Sequence, residues 1–297
     1  MLLHWLKSLF VDELWVFVHP QRITLLRLSR TFRNGLKQQL VHKQVIDFPQ
    51  NLEVTSVEAA SNDANDLQIL SKCLKQALDN TVWQGVMPTV IVSNHFARYT
   101  IIHWNSELAI ESERQAYMQH CFNLAYGESA KAWDLRMSEP SFGRSTMASA
   151  INRELLQVLH DVFVEADMKL AAVYPQLMLT INQTLRQLKK QKQSLSFWLV
   201  SIQSERVCLT LLIDGGWRLV KNVAIEIDVS AQVTALIQRE IVNCNVNDEV
   251  PVLLYWPEAQ SNQSLKLTNH TAINVLTHQF DMQKGQALNS LTEEVLI

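Results

Sequence analysis

Two stretches of this chain repeat one local pattern: a strand rich in β-branched and aromatic residues, a short polar turn, and a second apolar strand. Leu14–Leu28 reads LWVFVHPQRITLLRL, and Ser196–Val220 reads SFWLVSIQSERVCLTLLIDGGWRLV. Alternation broken by a polar turn is the signature of a β-hairpin. The turns are His19-Pro20-Gln21-Arg22 and Ile202-Gln203-Ser204-Glu205. Each hairpin opens a run in which strands alternate with helices, so the pattern predicts two α/β halves carrying antiparallel hairpins in mixed sheets.

The helical pattern is clearest where apolar residues recur every three or four positions. Leu67, Leu70, Leu74, Ala77 and Leu78 form such a stripe over Asp66–Asn80. Thr89–Ser93 and Arg98–Trp104 follow as strands. A helix is expected to start at Ser112, with Gln115 at capping-box spacing and Ala116, Tyr117, Cys121, Leu124 and Ala125 on its apolar face, and to end at Gly127. Trp133–Met137 and Thr146–Ile151 read as strands. Asn152 caps a helix with Leu155, Leu156, Leu159, Val162, Phe163 and Ala166 inward. Leu170–Tyr174 is the next strand, and Pro175 fits the first turn of a helix over Gln176–Lys190. After the second hairpin come a strand at Val223–Ile227, a helix capped by Ser230, a buried strand at Val250–Trp256 and a helix at Thr271–Phe280. The polar, basic stretch Gln187–Gln193 places a domain division near Leu185.

Composition narrows the function. With 47% apolar and 19% charged residues, the chain is built to fold. A net charge of −3 from 26 basic and 29 acidic residues gives no strongly basic face, so nucleic acid is not an expected partner. Cys73, Cys121, Cys208 and Cys244 are widely spaced and form no CxxC pair, which fits reduced thiols in the cytoplasm. No window offers the twenty or so apolar residues that a spanning helix needs. The start has neither a basic n-region nor a small-residue cleavage site. Leu2, Leu3, Trp5, Leu6, Leu9 and Phe10 could instead form an amphipathic helix, lying on a membrane or packing on the chain's own sheet.

There are only seven glycines, where average usage of about 7% would give roughly twenty. Phosphate-cradling loops depend on glycine, because it lets backbone N–H groups approach an anion in left-handed conformations. The single glycine pair, Gly215-Gly216 after Asp214, is explained by a hairpin turn. The P-loop, GxGxxG, GxSxG, HExxH and EF-hand signatures are all absent. His120-Cys121 are adjacent, and adjacent helical residues point about 100° apart, so they are not expected to share a metal. His95 and His103 flank a strand and read as structural. The cluster Arg186, Lys189, Lys190 and Lys192 could meet acidic lipid or a partner ATPase, or could simply complement a helix C-terminus.

One series of short motifs is more specific. Val92–Trp104 (VSNHFARYTIIHW) is followed by Ala125-Tyr126-Gly127, Trp133-Asp134-Leu135-Arg136, Ala148–Asn152 (ASAIN) and Val173-Tyr174-Pro175. This series resembles the small actin-like proteins of type IV pilus and type II secretion assembly platforms, the PilM, MshI and GspL cytoplasmic-domain group, over about residues 14 to 256. The resemblance implies a bilobal actin-like (sugar kinase/Hsp70/actin) fold with two facing mixed sheets. The first lobe would span residues 1–185, with an inserted subdomain around 94–165, and the second residues 186–297. In ATP-binding members of this fold the two hairpin turns grip phosphates and need an Asp for the metal and a Gly for close backbone approach. Here His19, Pro20, Gln21 and Arg22 stand at the first, Ser201, Ile202 and Gln203 at the second, and Trp256-Pro257-Glu258 where a glycine-rich adenosine loop would be.

No catalytic, cofactor-binding or metal-binding residue is therefore carried over. The resemblance implies a non-enzymatic cytoplasmic adaptor, held at the inner membrane by the cytoplasmic tail of a bitopic, PilN-like protein and contacting a hexameric secretion ATPase. The alternatives are a divergent actin-like ATPase or small-molecule kinase, and an actin-like scaffold unrelated to pili. Either enzyme would need other groups to stabilise a transferring phosphoryl.

Overall fold

The computed structural model describes residues 12–31, 37–49, 52, 60–108, 110–138, 142–203, 206–225, 228–246, 249–257 and 273–275. The strands in chain order are β1 (Glu13–Val18), β2 (Arg22–Thr31), β3 (Lys37–Asp47), β4 (Met87–Val92), β5 (Ala97–Ile102), β6 (Trp133–Met137) and β7 (Thr146–Asn152). Then come β8 (Ala172–Pro175), β9 (Phe197–Gln203), β10 (Arg206–Ile213), β11 (Gly216–Ala224), β12 (Val252–Tyr255) and β13 (Ile273–Val275). The helices are α1 (Ala60–Leu78), α2 (Glu111–Tyr126), α3 (Arg153–Glu165), α4 (Gln176–Gln191) and α5 (Val229–Cys244).

The described residues fall into two compact units. The first takes the chain up to Phe96 and the return segment Ile151–Gln176; the second takes Ala97–Ala150 and the residues from Leu177 on. The expected division near Leu185 falls inside the unbroken helix α4. Residues 97–150, expected with the first lobe, instead share a core with the second: Ala97, Tyr99 and Met147 pack with Leu177, Ile181, Phe197, Leu199 and Tyr255. Polarity and charge near 187–193 end the helix without dividing the fold, because Leu188 remains buried in that core.

In the first unit the sheet order is β3-β2-β1-β4-β8. β1 pairs antiparallel with β2 and parallel with β4, and β4 pairs parallel with β8. Parallel neighbours require crossovers, and helices supply them. Leu70 and Leu74 of α1 and Leu155, Leu159 and Phe163 of α3 pack with Leu14, Val16, Val18, Val90 and Val92 on one face. Trp15, Phe17, Leu26 and Ile91 are buried on the alternate positions, so β1 is apolar without a break from Leu14 to Val18. β3 does not read as a strand from sequence. It is an outer strand whose polar positions alternate with half-buried Leu40, His42, Gln44 and Ile46, and its outward side leaves Val41 56% and Val45 46% exposed.

The second unit repeats the same order as β11-β10-β9-β12-β13, so the two hairpins belong to separate sheets of identical topology. β9 is buried along its whole length. Trp198, Val200 and Ile202 face α5 through Val233, Leu236 and Ile237, while Phe197 and Leu199 face Leu177, Ile181 and Leu188 of α4. Asp214 and Gly215 both have positive φ (52° and 74°) and make the two-residue turn between β10 and β11 that the glycine pair predicts. Of the separate strand expected at Val223–Ile227, Val223 and Ala224 are the end of β11 and residues 226–227 lie outside the described residues; the helix cap is Asp228, whose carboxylate accepts from Ala231 N at 3.0 Å, not Ser230. The helix expected over Thr271–Phe280 is replaced, at Ile273–Val275, by a strand parallel to β12.

A smaller sheet, β5-β7-β6, is covered by α2. Here the helical phase differs from the sequence reading. Met118 and Phe122 are the buried pair, with Tyr117 and Cys121 beside them, whereas Leu124 is 75% exposed. Small and amphipathic residues at 116, 117, 121, 124 and 125 fit an apolar stripe as well as the true one does. The helix starts one residue early, at Glu111, and the Ile110 N–H reaches back to Glu113 at 3.4 Å in place of a Ser112 cap. The amphipathic N-terminus lies outside the described residues.

One buried carboxylate ties α5 to β11. Glu240, with a side chain 1% exposed, accepts from Lys221 Nζ at 2.7 Å, Arg239 Nε at 2.8 Å and Asn243 Nδ2 at 3.1 Å. Burial acts to raise its pKa, but the three hydrogen bonds outweigh it and hold the carboxyl below the usual carboxylate range. A depressed folded pKa contributes stability above the unfolded value, and that stability is lost as pH falls through the folded one. Glu240→Gln should therefore cost about 1–2 kcal/mol in urea denaturation at pH 7, the cations being partly exposed, and much less near pH 3. An equal loss at both pH values would contradict this origin.

Candidate functional site

In the first unit the place to inspect is the carboxyl end of β1, β4 and β8, where open α/β sheets bind ligands. His19 and Arg22 close a two-residue hairpin over Pro20-Gln21: His19 N donates to Arg22 O at 2.9 Å and Arg22 N to His19 O at 3.4 Å. Proline has no N–H, so Gln21 supplies the turn's one remaining backbone donor. The carbonyls are also engaged. Phe48 N donates to Gln21 O and Leu52 N to Pro20 O, both at 2.7 Å. Leu52 and Pro20 are buried while Gln21 is exposed, so Phe48 and Leu52 engage the turn's carbonyls and cover it on the Pro20 side. The sequence reading did not identify this cover, although Phe48-Pro49 followed by Leu52 in a polar stretch is its signal.

The acidic groups of β1 lie at its other end. Glu13 accepts from Trp15 Nε1 at 3.0 Å, and Asp12 binds Arg27 Nη2 at 2.7 Å. Five residue steps along the strand lead from Glu13 to Val18, a distance of about 17 Å. Beyond the strand ends stand His19, Ser93, Asn94, His95 and Gln176; Ser93 binds the His95 N–H through Oγ at 3.1 Å. Ser93, Asn94 and Gln176 are all nearly fully buried. Among the described residues no group of three or more His, Cys, Asp or Glu could hold a metal ion.

In the second unit, Ser201, Ile202 and Gln203 are the last residues of β9 and not the turn itself; Gln203 and Arg206 form the final pair of the hairpin. Ile202 belongs to the core against α5. Ser201 and Gln203 lie on the alternate face and are buried. Ser201 Oγ and Gln203 Oε1 have no hydrogen-bond partner among the described residues, and neither does Trp198 Nε1. These groups can donate or accept single hydrogen bonds, but none is a carboxylate able to hold a metal. After β12 the chain continues through Trp256 and Pro257, with no glycine.

The other candidate groups are dispersed. His120 is exposed and Cys121 half-buried on α2, as the 100° separation requires. His103 Nδ1 lies 3.2 Å from Ser145 Oγ, and the His95 ring meets Phe96 edge-on at 5.1 Å. Lys189, Lys190 and Lys192 are exposed at the end of α4, with Arg186 half-buried beside them. The four cysteines are free thiols; burial pushes Cys208 strongly upward, which leaves it a neutral core group. Two apolar surfaces stand out in the second unit. One is a groove of about 380 Å³ between α5 and the β10–β11 edge, lined by Val207, Val223, Ile225 and Leu236 with Gln232 and Arg239. The other is an edge-on aromatic pair, Trp104 and Phe142, with ring centroids 5.0 Å apart and Phe142 90% exposed.

No protein-family model matches the chain, and no curated protein matches it in sequence. Solved structures do. The cytoplasmic domain of EpsL, an inner-membrane component of the type II secretion system of Vibrio cholerae, is similar with a TM-score of 0.51 at 7% identity, over 82% of this chain and 81% of that one. The PilM–PilN type IV pilus biogenesis complex gives 0.53 at 14% identity, again over 82% and 81%. A Bacteroides thetaiotaomicron protein of unknown function with an actin-like ATPase fold gives 0.53 at 10% identity, over 86% and 85%. The fold is actin-like. The assembly-platform structures suggested by the short motifs are among those it resembles.

A sealed turn without a carboxylate predicts a simple outcome. Millimolar Mg-ATP should leave the melting temperature unchanged, since a ligand that binds only the native state raises it. A clear rise that His19→Ala or Gln203→Ala abolishes would contradict this reading of the two turns.

Proposed function

We propose that this chain is a non-enzymatic adaptor of a type IV pilus or type II secretion assembly platform. The observation that carries the proposal is the first turn. Its carbonyls accept from Phe48 and Leu52, its residues include no carboxylate, and the acidic groups of β1 sit at the far end of the strand. An actin-like frame with that turn closed retains rigid surfaces on which partners can dock, and docking needs no catalytic group. The neighbours supply the setting: one is a component of a secretion system and another is a complex with PilN.

In this proposal the chain is cytoplasmic and reaches the inner membrane through the cytoplasmic tail of a bitopic, PilN-like protein. No helix among the described residues is long and apolar enough to cross a membrane. The anchor for the tail is the exposed pair Trp104 and Phe142 on the β5-β7-β6 subdomain; clustered aromatics carry a large share of interface energy. The tail would order on binding, which keeps its affinity moderate. A secretion ATPase is the second proposed partner.

Fractionation of cells with and without the membrane partner tests the reading. The protein should sediment with membranes when the partner is present and remain in the soluble fraction when it is deleted. Phe142→Ala should weaken tail binding about tenfold with no change in melting temperature. Sedimentation that persists without the partner, and is lost only on removal of residues 1–10, would replace tail docking by direct membrane binding.

A further inference from the structure

The chain leaves α4 through a run of exposed residues, 189–194, that contains Lys189, Lys190 and Lys192 and no acidic residue. Two backbone hydrogen bonds end the helix: Gln193 N donates to Leu188 O at 2.9 Å, and Lys192 N to Lys189 O at 3.1 Å. This is the Schellman arrangement, whose left-handed position is usually glycine. Lys192 occupies that position, with φ at 55°. A side chain there is strained relative to glycine.

Among the described residues, the ammonium groups of Lys189, Lys190 and Lys192 donate no hydrogen bond and form no ion pair. The carbonyls of Leu188 and Lys189 are already satisfied by main-chain N–H groups, so the lysines do not cap the helix. The helix dipole favours cations in the last turn, which accounts for Lys189 and Lys190. It gives no reason for a lysine at the glycine position beyond them. A fourth cation, the exposed Arg144, stands where the chain re-enters the sheet. Its Nη1 donates to Asp214 O at 3.3 Å, and Gly215 N donates to Leu195 O at 3.1 Å. The Asp214 carboxylate accepts from Ser196 Oγ at 3.2 Å.

We propose that Lys189, Lys190 and Lys192, flanked by Arg144, form a contact surface for the phosphate headgroups of an acidic lipid membrane. The lysines alternate with Gln191 and Gln193, and no apolar side chain stands among residues 189–194. Protein interfaces deplete lysine and rely on aromatic and arginine anchors, so such a run is poorly suited to a protein partner. An acidic leaflet needs only charge close to its surface. At about fivefold per lysine, the three contribute about a hundredfold, too little to hold the chain on a bilayer alone. The contact therefore orients a chain that another interaction brings to the membrane. It leaves the fractionation outcome above unchanged, and vesicles test it without any partner protein.

The experiment is co-sedimentation of the full chain with vesicles of phosphatidylcholine, alone or mixed with phosphatidylglycerol, at low and physiological ionic strength. Binding should require phosphatidylglycerol and weaken as salt shortens the Debye length. Lys189→Gln and Lys190→Gln should each raise the lipid concentration for half-binding about fivefold. Lys192→Gly should do the same while its melting temperature is unchanged or higher, because glycine suits the left-handed position. Lys43→Gln, at an exposed lysine of β3, should change nothing. Undiminished binding by the triple variant Lys189→Gln, Lys190→Gln, Lys192→Gln, which keeps residues 1–10, would place the membrane contact elsewhere and overturn the proposal. Equal binding to neutral vesicles, or no binding to either kind, would do so too. Binding of poly-glutamate but not of vesicles would make the partner an acidic protein and also overturn it.

Discussion

The backbone hydrogen bonds from Phe48 and Leu52 onto the carbonyls of Gln21 and Pro20 hold the first hairpin turn against the segment that follows β3. A hairpin turn that receives a phosphate must present N–H groups to it. Here two of the turn's N–H groups close the hairpin, Pro20 has none, Gln21 N–H is the one donor left, and the carbonyls of Pro20 and Gln21 accept from Leu52 and Phe48. Leu52 is fully buried, so opening the turn would expose a side chain of the core as well as break two hydrogen bonds.

The two sheets show how a repeated topology can carry different chemistry. Both run antiparallel, antiparallel, parallel, parallel about a central strand buried on both faces. At the carboxyl ends the repetition stops. The first sheet ends in His19, Ser93 and Asn94, and the second in Ser201 and Gln203, two buried oxygens without a partner among the described residues. Other surface features lie elsewhere: an exposed aromatic pair beyond β5 and an apolar groove beside α5.

Much of this was legible in the sequence. The hairpins announced two α/β halves because burial on both faces leaves long apolar runs at Trp15–Val18 and Phe197–Ile202. The stripes Leu67–Leu74 and Leu155–Phe163 fixed two helices because each has one wide apolar face. Legibility failed where the signal is relational. β3 is an outer strand whose polar residues fall on both faces, Gln39 and Lys43 on one and His42 and Gln44 on the other, so no alternation separates it from a loop. The phase of α2 was missed because only Met118 and Phe122 are buried. Residues 97–150 pack with the chain after Leu177, and no local feature encodes that pairing. The seal on the first turn depends on two main-chain N–H groups, which sequence cannot position. The missing Asp and Gly at the turns were visible at once, because their absence is a matter of residue identity.

Amide hydrogen exchange at Phe48 and Leu52 tests the central claim most directly. Both N–H groups are hydrogen-bonded to the turn's carbonyls, so both should exchange slowly, at rates that Mg-ATP leaves unchanged. Fast exchange at these two amides, or new protection at Gln21 and Arg22 on adding Mg-ATP, would mean that the turn opens to phosphate and would contradict the account.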